Sequence, residues 1–466
     1  MVDNVLDLTQ FDYYITRGHK LNFSIEESGK KRLCLPLHKS LSYARVQYTN
    51  KGTKITMIKI AYLVSRYPQI SMTFILREIR TLRTLGFDIR TASINSPDHR
   101  PNQLTAVERE EEAQTYYIKP DGIIGALKAH FYTIFTQPLS YLRGFWFALR
   151  LGKWDLKKNL YGCFYFIEAV MVGQWMRREQ CSHLHIHLGT SSSTVGLIVK
   201  HTFPITFSMT IHGPADFYDI PGYYLIQKIL DATFICCISH FTRSQLMAWS
   251  PPSCWDKLEV SRLGVDPNQF TPRPFRQQPE PFEILCVGRL VPEKGQFILI
   301  QAVTNILAQK RQLRLRIVGD GPERQTLEDE VKKQGLTEQI IFEGAVNQDQ
   351  ILEFYNGADV FVLASFAEGI PIVLMEAMSM EIPCITTNIT GIPELMINGK
   401  EGLLVPASAT KALIEAILLL MDNPKLRYQI GQAGRQRILE HYDLQANVNK
   451  LADIFHRRLE MDNELI

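Results

Sequence analysis

The feature that most constrains this chain is a strand-helix alternation that runs twice, in two series separated by a proline-rich stretch. In the first series 183–188, 205–211 and 232–238 read as strands, and 190–201, about 221–230 and 239–248 read as helices. In the second series strands are expected near 282–287, 313–318, 340–343, 360–364, 383–386 and 402–405. Helices near 295–309, 322–334, 348–356, 371–380, 392–397 and 409–421 fall between them. Parallel neighbours need a crossover, and a helix on each face buries the sheet, so such a rhythm implies doubly wound parallel sheets. Pro267, Pro272, Pro274, Pro279 and Pro281 crowd the polar stretch between the series and suit a linker. Two α/β domains with a cleft between them follow, and the carboxyl ends of the second domain's strands should face that cleft.

The front of the chain adds one more βαβ start. Met57 to Val64 reads as a buried first strand. Ser71 is a plausible N-cap for a helix carrying Phe74, Ile75, Ile79, Leu82 and Leu85, which Gly86 ends, and Asp88 to Ile94 resumes as strand. Residues 1–56 show no sustained period. Two readings stand for them: an appendage ahead of an alternative start at Met57, or a cover for the first domain. Residues 121–180 break the rhythm with a helix-compatible insertion rich in aromatics (among them Phe131, Phe135, Trp146, Trp154 and Phe164) and in bases (among them Lys128, Arg143, Arg150, Lys153, Lys157 and Lys158). An interfacial helix on an anionic membrane and a helical pair packed on the first domain account for it equally. Helix 424–440 and the segment after His441 are expected to pack last.

Composition excludes several classes. The 466 residues suffice for two or three domains, and a 45% hydrophobic share is ordinary for a globular chain. Lys plus Arg at 51 against Asp plus Glu at 48 leaves +3, which argues against a nucleic-acid partner. The 8 cysteines are dispersed, with no C-x-x-C pair, and suit reduced thiols. No run reaches the roughly 18 apolar residues of a membrane-spanning helix, and no signal peptide opens the sequence. A cytoplasmic protein is expected, with contact to the inner face of the membrane if residues 121–180 dock there.

The chemistry concentrates in Ala364 to Met378, where a strand end, a turn and a helix start meet two carboxylates. Gly369 permits close backbone approach, and Pro371 sits where a helix can begin without losing a needed N–H. Unpaired amides at Ile370 and Ile372, on either side of Pro371, and the helix dipole would favour phosphate. Glu368 and Glu376 cannot hold phosphate, so they should accept from hydroxyls, and sugars and riboses fit.

Two glutamates with seven residues between them around a Gly-x-Pro turn resemble the signature of family 4 retaining glycosyltransferases, whose fold is two facing Rossmann-like domains (GT-B). Four further segments agree in order: His212-Gly213-Pro214-Ala215-Asp216, Val287 to Gly295, Val318 to Glu323, and Thr390-Gly391-Ile392-Pro393-Glu394. The likeness spans Met57 to about Asp443. It implies domains at 57–270 (acceptor side, with the insertion 121–180) and 271–440 (nucleotide-sugar side), and a C-terminal helix within 441–466 that crosses back to the first. It further implies that Glu376 meets the ribose and Glu368 the sugar hydroxyls, that Arg289 and Lys294 meet the diphosphate, and that His212 lies near the reacting carbon. Gly319, Gly321 and Val346 would line the nucleotide pocket and Glu394 would lie close to it. The first domain looks closest to exopolysaccharide enzymes of the colanic-acid type.

Other motifs read more plainly. Gly319-Asp320-Gly321 lacks the third glycine of a dinucleotide fingerprint, since Arg324 stands there. His183, His185 and His187 share a strand face at zinc-compatible spacing, but a strand inside a sheet argues against a metal. Ser239 reads as the N-cap of its helix. Leu263 stands where the resembled family commonly has asparagine, and Tyr67 to Ser71 lacks that family's glycine pair.

The expected activity is metal-independent, retaining transfer of a hexosyl group from a nucleotide-diphosphate sugar to a glycan or lipid-linked acceptor, with no cofactor. A sugar-nucleotide epimerase of the same fold and a non-catalytic sugar-nucleotide-binding scaffold are the alternatives. Base, sugar, acceptor and oligomeric state are not encoded in any motif.

Overall fold

The computed structural model describes residues 24–25, 31–32, 58–69, 72–97 and 104–463. The chain divides into two compact units, residues 1–56 and 57–466. In the smaller one, β1 (Ser24–Ile25) pairs antiparallel with β2 (Lys31–Arg32). The readings made for residues 1–56 as a whole, for Met57 and for Ser71 fall outside the described residues.

The larger unit holds two parallel sheets. The first is built by β3 (Lys59–Arg66), α1 (Thr73–Thr84), β4 (Asp88–Asn95), α2 (Ala106–Gln114) and β5 (Tyr116–Tyr117). Then come α3 (Gly122–Thr136), α4 (Pro138–Leu151), α5 (Leu156–Glu179), β6 (His183–His187), α6 (Ser191–Thr202) and β7 (Thr206–Ile211). It ends with α7 (Leu225–Asp231), β8 (Phe234–Cys237), α8 (His240–Ala248) and β9 (Leu258–Val260). The strand order is β5-β4-β3-β6-β7-β8-β9, and every pair is parallel. Both faces are covered, which is why β3 reads as a nearly continuous apolar run from Ile60 to Val64.

The second sheet follows from β10 (Phe282–Val287), α9 (Gln296–Ala308), β11 (Leu313–Val318), α10 (Arg324–Lys333), β12 (Ile340–Gly344) and α11 (Ile351–Gly357). It continues through β13 (Val360–Leu363), α12 (Ile372–Ser379), β14 (Cys384–Thr387), α13 (Ile392–Leu395), β15 (Leu403–Val405) and α14 (Thr410–Asp422). Its order is β12-β11-β10-β13-β14-β15, again all parallel. The order reverses direction between β10 and β13, so the loops after those two strands flank a switch-point crevice.

Two long helices close the unit: α15 (Pro424–His441) and α16 (Leu444–Asn463). As the resemblance implied, α16 crosses back and packs against α1. Phe455 is fully buried there, with its ring centroid 5.7 Å from Phe234 and 6.0 Å from Phe87. Ser239 caps α8 as expected, accepting from the Thr242 amide.

The insertion is three helices rather than a pair. α5 anchors it by burying Phe166, Ala169, Val170, Val172, Trp175 and Met176 in the first domain's core. α3 and α4 leave apolar side chains in solvent, including Ile123, Phe131, Phe135, Leu139 and Trp146, and Trp154 beyond them is 100% exposed. Asp and Glu are absent from residues 122–154.

Candidate active site

The Glu368 turn lies at the carboxyl end of β13, where Phe361, Val362 and Leu363 anchor the strand in the core. Pro371 is the N-cap of α12. The first intrahelical bonds run from the Leu374 and Met375 amides to Pro371 O, so Ile372 and Val373 amides have no helical acceptor. Across the crevice, the loop after β10 delivers Lys294, whose Nζ lies 2.6 Å from Glu368 Oε1. Ser365 Oγ donates to the same oxygen at 2.7 Å. Arg289, in the same loop, is exposed, and Gln296 donates to its carbonyl at 2.9 Å.

The first domain meets this turn backbone to backbone. A Cβ on Gly369 would fall 1.9 Å from His212 O, and one on Gly213 would fall 2.7 Å from Gly369 Cα. Glycine is therefore required on both sides of the contact, and Gly213 has φ +153 as well. His212 is held by Asp216, whose carboxylate accepts from the amides of Gly189 (2.7 Å), His212 (2.9 Å) and Gly213 (3.3 Å). Asp216 is buried and so serves this backbone rather than a ligand; burial pushes its carboxyl up against the pull of those three amides. Thr390 Oγ1 donates to Glu368 O, which brings the Thr390 segment to the same turn.

Glu376 lies one helical turn deeper and is buried. Its Oε1 receives Arg77 Nη1 and Nη2, both at 3.1 Å, and its Oε2 receives Tyr355 OH at 2.9 Å. Arg77 comes from α1, donates also to Gln348, and lies 5.4 Å from the centroid of Phe270. Burial raises the Glu376 carboxyl above its ordinary range, with Arg77 and Tyr355 opposing. Glu376 is thus at the domain junction, with both oxygens occupied by protein groups.

Gly319 and Gly321 have a packing reason of their own: a Cβ at either would fall 2.0 Å from Gly288 O or 2.3 Å from Leu290 O. They let the loop after β11 lie against the loop after β10, where Leu290 N donates to Asp320 O at 3.0 Å. Val346 is half-buried beyond the end of β12. Glu394 acts elsewhere than at its own helix: its carboxylate accepts from the amides of His240 (2.9 Å) and Phe241 (2.7 Å), capping α8 across the domain junction.

The strand histidines are buried, and their nitrogens are largely taken. His183 meets Thr206 and Ser208 hydroxyls at 2.7 Å each, and His185 meets Ser208 at 2.7 Å and Thr210 at 3.0 Å. Burial drives the His183 ring down to about 3. Glu78, His185 and His187 offer donor atoms within 4.8 Å of one another, but an ion there would have to break the hydroxyl bonds of His185.

Sequence reasoning missed Arg77, Glu78, Ser365 and Tyr355. Glu78 carried a signal: it sits on the same helical stripe as Ile75, Ile79 and Leu82, a charge on a face that must be buried. Arg77 and Tyr355 carried none, because their partner is remote in sequence.

Two parallel-sheet domains facing across such a site form the GT-B arrangement. Residues 268–437 match the family described as glycosyl transferases group 1. Among its relatives, WcaL of Escherichia coli (strain K12), named as a colanic acid biosynthesis glycosyltransferase, is 26% identical over 85% of this chain and 99% of its own. Amylovoran biosynthesis glycosyltransferase AmsK of Erwinia amylovora is 23% identical over 86% of this chain and 100% of its own. Sucrose-phosphate synthase from Thermosynechococcus elongatus shares the fold, with TM-score 0.68 at 17% identity over 86% of this chain and 100% of that one. So does Anabaena HepE in complex with UDP-glucose, with TM-score 0.65 at 16% identity over 86% and 100%.

Proposed function

We propose that this protein transfers a hexosyl group, with retention and without a metal, from a nucleotide-diphosphate sugar to a glycan or lipid-linked acceptor in exopolysaccharide or cell-surface glycan synthesis. The observation that carries this is the meeting of the α12 N-terminus, the Lys294–Glu368 pair at 2.6 Å and the His212 backbone at one turn. The diphosphate seats on the Ile372 and Val373 amides, with Arg289 and Lys294 supplying positive charge as the leaving group departs. Lys294 leaves Glu368 for the phosphates, and Glu368 then accepts from sugar hydroxyls. The ribose takes Glu376 from Arg77. The bond from the sugar to the diphosphate oxygen breaks as an acceptor hydroxyl attacks the same face, and the acceptor's proton passes to the departing phosphate oxygen. The names of WcaL and AmsK support the glycan context, and the UDP-glucose bound by HepE supports the donor class.

Incubation with nucleotide sugars and a candidate acceptor tests the reading. Retained anomeric configuration in a new glycoside, insensitive to chelator, is the expected product; acceptor-independent conversion of the donor, or binding without turnover, would overturn it. The donor base is read from stabilisation by UDP, GDP or ADP.

A peripheral membrane contact through α3–α5 belongs to the same reading. The exposed apolar side chains there lie beside an open cavity of about 600 Å³ lined by Arg143, Trp146, Phe147, Arg150 and His201. Apolar bodies with basic neighbours and no acidic residue from 122 to 154 suit an anionic lipid surface. Among the described residues no helix is long and apolar enough to cross a membrane. Flotation with phosphatidylglycerol vesicles at low salt is expected to carry the protein; failure to float would remove this part.

A further inference from the structure

His212 ends a line of buried polar groups that the transfer proposed above leaves unused. His187 Nδ1 lies 2.9 Å from His212 Nε2, and His187 Nε2 lies 3.3 Å from Glu78 Oε1. That second contact is a charge approach short of hydrogen-bond geometry, and His187 Nε2 is buried with no hydrogen-bond partner among the described residues. Tyr62 OH donates to the same Glu78 oxygen at 2.9 Å, and His185 beside it has both nitrogens bound to hydroxyls. The elements are fixed independently: β3 supplies Tyr62, α1 Glu78, β6 His187, and the turn after β7 His212.

The order of donors follows from chemistry alone. A neutral imidazole carries one N–H, and a carboxylate only accepts, so the His187 proton belongs on Nε2 facing Glu78. His187 Nδ1 can then only accept, and His212 must donate from its own Nε2. That leaves His212 Nδ1 bare, and no described residue hydrogen-bonds to it. Burial and the neighbouring His187 hold the His212 ring well below its ordinary range, which keeps it neutral.

We propose that Glu78 and His187 are positioning residues that fix His212 in its Nε2–H tautomer, so that His212 Nδ1 accepts a hydrogen bond from a carbohydrate hydroxyl at the reacting turn. The proposal rests on the reading of that turn as the sugar site. A chain that merely filled a polar slot in the core would be indifferent to which His212 nitrogen carries the proton. Tyr62, bonded to the same Glu78 oxygen that faces His187, steadies the carboxylate without a hydrogen bond to either ring nitrogen of His187.

Long-range proton–nitrogen correlation spectra of the full-length protein with ¹⁵N-histidine report the tautomers, with His212 signals assigned by their loss in His212→Asn. At neutral pH the wild type should show a protonated Nε2 and a bare Nδ1 at His212, and Tyr62→Phe should leave that pattern in place. Glu78→Leu should replace the single tautomer by a mixture while stabilisation by UDP, GDP or ADP stays at the wild-type value. A protonated Nδ1 in the wild type overturns the proposal, as does an unchanged His212 tautomer in Glu78→Leu; if that variant does not fold, the wild-type spectrum decides alone. If the tautomers are as expected yet none of the three nucleotides stabilises the wild type, the donor reading fails and the positioning role stands.

Discussion

Lys294 Nζ and Glu368 Oε1 are 2.6 Å apart, and they join the loops after β10 and β13, the two strands that flank the reversal of strand order. The pair is partly buried, so each charge is held in place by the other. Lys294→Ala removes the cation that the proposed transfer directs at the departing phosphate and frees Glu368 at once. Turnover should fall by about 10²–10³-fold or more, and the thermal midpoint should move little because the turn keeps Ser365 on Glu368. Near-normal turnover, measured as nucleoside diphosphate release, would remove Lys294 from the chemistry.

Arg77 and Glu376 form the more deeply buried pair. Removing Arg77 leaves the carboxylate uncompensated, so Arg77→Met should cost about 3–5 kcal/mol at neutral pH. The sign with pH is fixed by direction: the folded-state pKa of Glu376 is already raised, so its ionisation costs stability as pH rises through that value, and loss of Arg77 raises it further. The penalty of Arg77→Met should therefore shrink on acidification. Urea unfolding of wild type and variant at a series of pH values checks this; a pH-independent difference would show that the pair is not what stabilises the junction.

Gly369 touches His212 O more closely than any side chain allows. Gly369→Ala must displace the two domains at that point, and overpacking of this kind costs about 1–3 kcal/mol. Activity should drop sharply while each sheet stays folded. Small-angle scattering together with circular dichroism separates an altered domain setting from unfolding; wild-type turnover would contradict the required contact.

Glu394 caps a helix that belongs to the other domain. Glu394→Ala withdraws the acceptor for the His240 and Phe241 amides and should cost about 0.5–2 kcal/mol, the usual worth of an N-cap. Ser239 remains as the local cap, so the loss should be read as weakened domain docking, with earlier hydrogen exchange at the α8 amides. Unchanged exchange there would mean that water replaces the carboxylate.

What the sequence showed and what it hid divide along sequence distance. The strands from β10 to β15 fell within a residue or so of expectation because both faces of a parallel sheet are buried, which writes the element into local composition. Ser239 and Pro371 were legible for the same reason, since a helix start depends on its own neighbours. Arg77 with Glu376 and Glu394 with His240 were not legible: each joins residues remote in sequence, and nothing local marks an interdomain partner. The insertion was legible as helical and basic, but not as three helices with α5 as the anchor, because α5 buries one side in a domain whose shape had to be known first. Glu78 was the overlooked clue, a charge among Ile75, Ile79 and Leu82.

The most direct test is a crystal structure with the nucleoside diphosphate that stabilises the protein best. Its phosphates are expected within hydrogen-bond distance of the Ile372 and Val373 amides and of Lys294 Nζ, with Lys294 drawn away from Glu368 and the ribose on Glu376. Phosphates bound elsewhere, with the Lys294–Glu368 pair undisturbed, would contradict it.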